Sequence, residues 1–387
     1  METIQIKDDK IDNKKSNDVN SNANLISINK FKNNILSEIL NFLDTKISYN
    51  TKIGIIEKLN DRFDEIYDAY SITEKKFKYR KRDSGEMYIT HINGVLDIYI
   101  NKLYNLKEKL YNLDNNKEDD RKKAIEYVKN EICIVATIIE HDSIEDTDAT
   151  MEGLNERYTI NKLVGFTTLL LSKKPFSFCI ENEVDRTNYI EIRKTGILNE
   201  KGLLSDLIKN KIQISEEIKI IEYIELNENN ENKYENGDEL IKYTFHDDHQ
   251  LTQNQIIGLK LYGELEDKYK KARNELYFEH YKSIFSLIKH AKKILKDKDL
   301  YFSREDFKTI IHNTIIIKLA DRMHNLNDLP KSWEKRPNRI ENKLIETEKY
   351  LLPLAKEFNK EIYLYMINEI YRIRIELNKI NIENIIK

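Results

Sequence analysis

The sequence predicts an all-α fold, and three properties of the chain support this prediction. Only 10 glycines and 4 prolines, the residues that most strongly interrupt helices, occur among 387 residues. Charged residues make up 34% of the chain and hydrophobic residues 40%. Over long stretches the apolar residues recur three or four positions apart, as they do on one face of a helix. The length is ample to bury a core, as one large domain or two ordinary ones.

Charge and cysteine content exclude several classes of protein. The 64 basic and 67 acidic residues give a net charge of -3, which argues against a polybasic nucleic-acid or membrane-surface protein. The two cysteines, Cys133 and Cys179, are too few for a disulfide framework or a cysteine-based zinc module. They favour a reducing, cytoplasmic compartment. No apolar run approaches the roughly 18 residues of a membrane helix, and the N-terminus does not resemble a signal peptide.

The first part of the chain predicts a leader followed by helices. Residues 1–28 are polar and rich in Asn, Asp, Ser and Lys, which is typical of disorder. Helical spacing of apolar residues follows, is interrupted at 80–90, and resumes after His91. A hydrophilic joint at 112–121 precedes the next helix.

That next helix is nearly all apolar over 132–139, so we expect it in the core. It ends in a polar string over 140–148, and Thr150 is the predicted N-cap of the following helix. The stretch 310–319 predicts a second buried helix. From about residue 340 the pattern indicates amphipathic helices.

The segment from about 172 to 267 has a different character. Residues 218–226 and 239–245 are compatible with two strands, and the very polar stretch 227–238 between them suits the turn of a small β-hairpin. The ligand-type residues of 246–249 could bind a metal, although a solvated loop is the more ordinary interpretation.

Metal-type ligands occur at three places within an apolar helical frame. These are His91 after the polar turn, the pair His141 and Asp142 at the end of one buried helix, and Asp321 at the end of the other. Two imidazoles and two carboxylates suit a divalent ion such as Mn²⁺, Zn²⁺ or Fe²⁺. Each of these residues alone is weak evidence for a metal site, since a single histidine more often has a structural role. Buried carboxylates at two apolar helix ends, however, require a compensating cation.

Further polar residues fall one helical turn from these ligands. Glu145 and Asp146 follow His141 and Asp142 by one turn if the helix continues, and such carboxylates can orient or deprotonate a water molecule. Asn325 lies one turn after Asp321 and can bind a sugar or phosphate. Three tyrosines just before the second buried helix are more typical of core residues than of a ligand cage: Tyr269, Tyr277 and Tyr281.

These three segments resemble the motifs of the HD-domain metal-dependent phosphohydrolases. The chain reads RDSGEMYITH at 82–91, HDSIEDTDAT at 141–150 and KLADRMHN at 318–325. The hydrolase domain of the RelA/SpoT alarmone enzymes reads roughly R-x-S-G-E-x-Y-x-x-H, then H-D-x-x-E-D-T-x-x-T, then K-L-A-D-R-x-H-N. All three motifs are long enough to be specific, and they come in the same order.

The resemblance implies an all-α fold and removal of pyrophosphate from the 3′ position of ppGpp or pppGpp, which gives GDP or GTP. It implies one Mn²⁺ ion and a guanine nucleotide substrate. The implied roles are metal binding for His91, His141, Asp142 and Asp321, direction of the attacking water for Glu145 and Asp146, and substrate binding for Arg82, Ser84, Lys318 and Asn325.

The chain departs from this pattern in three ways. Ile92 stands where the family usually has proline, and Asp83 where many members have lysine. From Asp146 to Asp321 there are 175 positions, where the family needs only several tens, so 172–267 is predicted to be an insertion. We therefore expect a hydrolase domain over 29–335, interrupted by this insertion, and C-terminal helices over 336–387. Too few residues follow for a synthetase domain, which predicts a hydrolase-only member.

Two other functions stay open. One is an HD phosphohydrolase that acts on another nucleotide or phosphoester, because Asp83 and the insertion depart from the family. The other is a non-catalytic alarmone-binding regulator, in which the insertion or the C-terminal helices bind a protein partner or a second copy of the chain. We expect neither a nucleic acid nor a membrane as a partner.

Overall fold

The structure of the protein is a computed structural model, and within the residues it describes the fold is all-α, as predicted. No β-strand occurs in these parts of the chain. The predicted hairpin, the 246–249 segment, Ser84 and residues 1–24 lie outside them. The structure describes residues 25–43, 48–78, 82, 86–147, 149–158, 163–173, 179–194, 253–332 and 337–386.

Five helices form the N-terminal part of the described fold. The first begins at Ile26, close to the predicted end of the leader at about residue 28. Ile28, Phe31 and Ile35 form one buried face from its first turn onward. The helices are α1 (Ile26–Leu43), α2 (Tyr49–Lys76), α3 (Tyr88–Ile98, continued by a π-helical turn over Tyr99–Leu103), α4 (Leu106–Tyr111) and α5 (Glu118–Glu140).

Four shorter helices follow α5. Thr150 is the N-cap residue predicted from the sequence, and its hydroxyl accepts a hydrogen bond of 3.0 Å from the backbone N–H of Gly153. These helices are α6 (Ser143–Asp146), α7 (Met151–Arg157), α8 (Leu163–Leu171) and α9 (Glu183–Lys194).

The C-terminal part contains six more helices. Helix α12 ends in a 3₁₀ turn over Leu329–Ser332, and α13 continues into a π-helical turn over Thr347–Leu351. The helices are α10 (Gln253–Glu279), α11 (Ile284–Asp297), α12 (Arg304–Asp328), α13 (Pro337–Glu346), α14 (Leu352–Phe358) and α15 (Lys360–Ile386).

The core is organised around α5 and α12. All residues of 132–139 are buried, and 310–323 is buried except for His312, so both predicted core helices are confirmed. Helix α12 packs against α3, α5, α8 and α15. A helix that is apolar all round must be enclosed by other helices, which is why these two lie at the centre.

Two features of the described helices bear on the predicted insertion and on the C-terminal segment. The predicted end of the insertion, near 267, falls inside α10, which packs against α9. The carboxylate of Asp185 in α9 accepts hydrogen bonds of 2.5 Å from both Lys268 and Tyr269. The C-terminal helices share one hydrophobic core with α12.

Among the described helices, none combines the length and the apolar character needed to cross a bilayer.

His312 makes the stability of the fold depend on pH. Desolvation of this half-buried ring, with a contribution from the positive charge of Lys109, lowers the pKa of the imidazole to about 4. The unfolded imidazole titrates near pH 6.5, so between about pH 6.5 and 4 the unfolded state binds a proton that the folded state does not. Stability contributed by His312 is therefore lost as the pH falls through this window.

We expect His312→Gln to remove this loss. Between pH 7 and pH 5 the wild-type free energy of unfolding should fall by up to about 2 kcal/mol more than that of the variant. Urea denaturation at both pH values measures the difference. Equal losses in the two proteins would contradict the prediction.

Candidate metal centre

Three separate segments bring predicted metal ligands together. His91 lies in the first turn of α3, His141 directly follows the last residue of α5, and Asp321 lies in α12. All three side chains are buried. One ligand atom from each residue lies within 4.8 Å of the ligand atoms of the other two. These three residues could therefore hold one metal ion.

The distances within the group match those between ligands of a single ion. His91 Nε2 lies 3.3 Å from His141 Nε2 and 3.3 Å from Asp321 Oδ1. Ligand atoms bound about 2.0–2.2 Å from a metal at angles between about 90° and 110° are about 2.8–3.6 Å apart. The nitrogen and oxygen donors also fit a divalent transition metal.

The orientation of His141 is fixed by its other ring nitrogen. His141 Nδ1 lies 2.7 Å from the carbonyl oxygen of Ile138, and because a carbonyl only accepts, Nδ1 donates this hydrogen bond. Nε2 of His141 is then the atom that faces His91. Two imidazole nitrogens that face each other at this distance need a shared proton or cation, because their lone pairs repel.

Asp142, the fourth predicted ligand, lies beside the group of three. Its Oδ2 is 2.9 Å from His141 Nε2 and 3.9 Å from His91 Nε2. The same oxygen accepts a hydrogen bond from the hydroxyl of Tyr88. Tyr88 had no predicted role, although its place in the first motif, three residues before His91, was a signal.

The charges of the cluster are set by its own members. Burial favours the neutral form of Asp321, but the positive charge of Lys318, the largest opposing contribution, holds the pKa of this carboxyl well below its usual range. Burial also opposes ionisation of Asp142, but His141 lowers the pKa of that carboxyl. Burial opposes protonation of His141, but Asp142 outweighs it and raises the pKa to about 9. Burial lowers the pKa of His91, so this imidazole is neutral.

A proton therefore bridges His141 and Asp142 in the metal-free protein. A divalent cation would take the place of this proton, since metal ligands bind in their deprotonated forms.

Lys318, predicted to bind substrate, makes internal contacts in the structure. Its Nζ lies 2.9 Å from Asp321 Oδ2. It also lies 5.0–5.9 Å from the ring centres of Tyr277, Phe278 and Tyr281. Cation–π attraction and the ion pair together hold this buried ammonium group. Tyr277 and Tyr281 donate hydrogen bonds to backbone carbonyls of α8, so they are core residues, as expected.

Helix α5 ends in the polar string, as predicted, so the condition under which Glu145 and Asp146 would follow His141 and Asp142 by one helical turn is not met. Helix α5 ends at Glu140, a turn at residues 141–142 follows, and α6 begins at Ser143. The Ile138 carbonyl is taken by the His141 side chain, which favours the break. The carboxylate of Glu145 instead accepts two hydrogen bonds from Lys173, one of 3.1 Å from the backbone N–H and one of 3.0 Å from Nζ. The backbone N–H of Asp146 donates to the Asp142 carbonyl at 2.8 Å.

Two predicted substrate residues border the cluster. Arg82 Nη2 donates a hydrogen bond of 2.6 Å to Asn325 Oδ1, and Asn325 Nδ2 donates one of 2.5 Å to Asp321 Oδ1. Arg82 also forms an ion pair with Asp328. Lys173 and Asp328 were not predicted, because nothing in their local sequence pattern marks them.

Comparisons of this chain with protein-family models, with curated proteins and with solved structures gave no match.

We expect Mn²⁺ to stabilise the protein through the three ligands. At about 100 times its dissociation constant, a ligand of the folded state contributes about 2.7 kcal/mol, which raises Tm by a few degrees. His91→Ala should abolish this rise, because it removes a central donor. Differential scanning fluorimetry with EDTA or Mn²⁺ measures it. His290→Ala, outside the cluster, is the control, and an undiminished rise in His91→Ala would refute the ligand role.

We also expect the Asp321–Lys318 pair to dominate the local stability of α12. In metal-free protein, Asp321→Ala leaves the ammonium of Lys318 buried without its partner, which costs about 3–5 kcal/mol. Adding Lys318→Met should recover part of this loss. Urea denaturation in EDTA compares the variants. If the double variant is no more stable than Asp321→Ala, the pair does not have this role.

Proposed function

We propose that this protein is a divalent-metal-dependent phosphohydrolase that removes the 3′ pyrophosphate of ppGpp or pppGpp. The observation that carries the proposal is the buried group His91, His141 and Asp321, assembled from three distant motifs. The resemblance of these motifs to the RelA/SpoT hydrolase domain supplies the substrate class. Because this substrate is a cytoplasmic nucleotide, the proposal also places the protein in the cytoplasm.

In this proposal His91, His141 and Asp321 hold the ion and Asp142 completes the set. When bound, a divalent cation supplies Lewis-acid polarisation of a phosphoryl oxygen and activation of water. We favour Mn²⁺, although the same nitrogen and oxygen donors also fit Zn²⁺ or Fe²⁺. The Tyr88 hydroxyl fixes Asp142 Oδ2 on the side of the two imidazoles.

Glu145 would orient the attacking water rather than deprotonate it. Burial raises the pKa of Glu145, but the positive charges of Lys173 and Arg273 outweigh burial and lower it. A carboxylate with a lowered pKa is a weak base but still accepts hydrogen bonds. Asp146, in the same short helix, is the other carboxylate available for this task.

Arg82 and Asn325 are placed to meet the anionic substrate. Arg82 is partly exposed, and a guanidinium binds phosphate oxygens in a bidentate manner or stacks on a base. Asn325 joins Arg82 to the cluster, since it bonds both Arg82 and Asp321. A nucleotide bound here would exchange some of these internal hydrogen bonds for its own.

The test is incubation of purified protein with ppGpp, with and without Mn²⁺, and measurement of released pyrophosphate. We expect release only with the metal. Asp142→Asn should abolish it, and Glu145→Gln should keep Mn²⁺ binding but lower kcat by about 10²-fold, because the attacking water would be misplaced.

His290→Ala is the matched control and should turn over ppGpp like the wild type. If Glu145→Gln retains full kcat, Glu145 has no catalytic role. If Mn²⁺-loaded protein hydrolyses other nucleotides but not ppGpp, the alternative phosphohydrolase replaces this proposal.

A second candidate is an alarmone-binding regulator without turnover. The observation that favours it is that Lys173 engages both carboxylate oxygens of Glu145. Tight binding of ppGpp in Mn²⁺ without release of pyrophosphate would select this function.

A further inference from the structure

We propose that Arg82 and His324 are positioning residues that select the tautomer of His91 whose Nε2 lone pair is directed into the metal cluster. This inference rests on the proposed metal centre. It assigns a purpose to a histidine that lies beside the cluster but outside the group of three ligands.

The contacts of His91 explain why its tautomer must be selected by neighbouring residues. Its Nε2 lies 3.3 Å from the carboxylate oxygen of Asp321. In metal-free protein this oxygen favours a proton on Nε2, because a carboxylate only accepts hydrogen bonds. That tautomer cannot bind a metal through Nε2. Something must therefore favour a proton on Nδ1 instead.

His324 and Arg82 together favour a proton on His91 Nδ1, and both act through one atom, His324 Nδ1. His324 Nδ1 lies 3.0 Å from His91 Nδ1 and 3.4 Å from Arg82 Nη1. His324 Nδ1 also lies 3.6 Å from Asp328 Oδ2, which is beyond hydrogen-bond distance and already accepts a hydrogen bond from Arg82 Nη1. The nearer partner is the guanidinium of Arg82, which only donates, so this contact makes His324 Nδ1 an acceptor. His91 Nδ1 must then be the donor. A neutral imidazole carries one N–H, so the lone pair of His91 is on Nε2, which faces His141 and Asp321.

Both positioning residues are themselves held in place. The imidazole of His324 packs directly against Gly94 of α3, where a Cβ atom would lie only 1.8 Å from His324 Nε2. Only glycine therefore admits this ring one helical turn after His91. Arg82 is anchored by Asp328 and Asn325, both near the end of α12. The arrangement thus links α3 and α12 on the side of His91 opposite the cluster.

The test compares two substitutions of His324 by calorimetric titration of metal-free protein with Mn²⁺. An asparagine places an acceptor oxygen close to the position of His Nδ1, whereas leucine provides none. Groups that orient metal-bound histidines typically change metal affinity by 10–100-fold. We expect His324→Leu to weaken Mn²⁺ binding by about this factor and His324→Asn to stay within a few-fold of the wild type. Affinities that are equal in all three proteins, or weakened equally in both variants, would overturn the inference.

A second measurement does not depend on the metal or on turnover. ¹⁵N NMR of the imidazoles in EDTA reports which nitrogen of His91 carries the proton. We expect Nδ1–H in the wild type and a shift toward Nε2–H in Arg82→Met. An unchanged tautomer in Arg82→Met, or Nε2–H in the wild type, overturns the inference. If the wild type shows Nδ1–H but binds no Mn²⁺, the proposed function fails while this inference stands.

Discussion

Mutual neutralisation of buried charge is the constraint on which the rest of this structure depends. Two carboxylates, Asp142 and Asp321, lie among apolar helices, and each is compensated by a neighbour rather than by water. Lys318 compensates Asp321 and His141 compensates Asp142. Because a buried charge without a partner is strongly destabilising, the first turn of α3, the end of α5 and the C-terminal half of α12 must meet in one arrangement. The same arrangement creates the metal-binding geometry.

Helix α12 joins this cluster to the rest of the fold. One of its faces carries Lys318, Asp321 and Asn325. Arg322, which directly follows Asp321, is buried and donates hydrogen bonds to Glu346 and Thr347. These two residues lie at the junction of α13 with its π-helical turn. The C-terminal helices thereby brace the helix that carries the site. Substitutions in α12 are consequently expected to change both the geometry of the candidate metal ligands and global stability.

The sequence allowed prediction of the features that have a local signal. Two all-apolar runs identified the buried helices α5 and α12. Ligand-type residues at the ends of these runs identified His141 and Asp321, and the polar turn before it identified His91. Contacts between segments distant in sequence have no such signal. The Lys173–Glu145 pair joins residues 28 positions apart, and the end of α5 depends on a side chain that takes up a backbone carbonyl. The core shared by α12 and the C-terminal helices could not be predicted from the sequence for the same reason.

The continuity of α10 has a mechanical consequence. An α-helix of 27 residues is a stiff rod about 40 Å long, so its two ends cannot move independently. Arg273 and Tyr277, in its last two turns, lie beside Glu145 and Lys318 respectively. A small tilt imposed at Gln253 would be carried along the rod to these side chains. Movement of the N-terminal end of α10 can therefore displace side chains beside the polar cluster, over a distance that no single side chain could span.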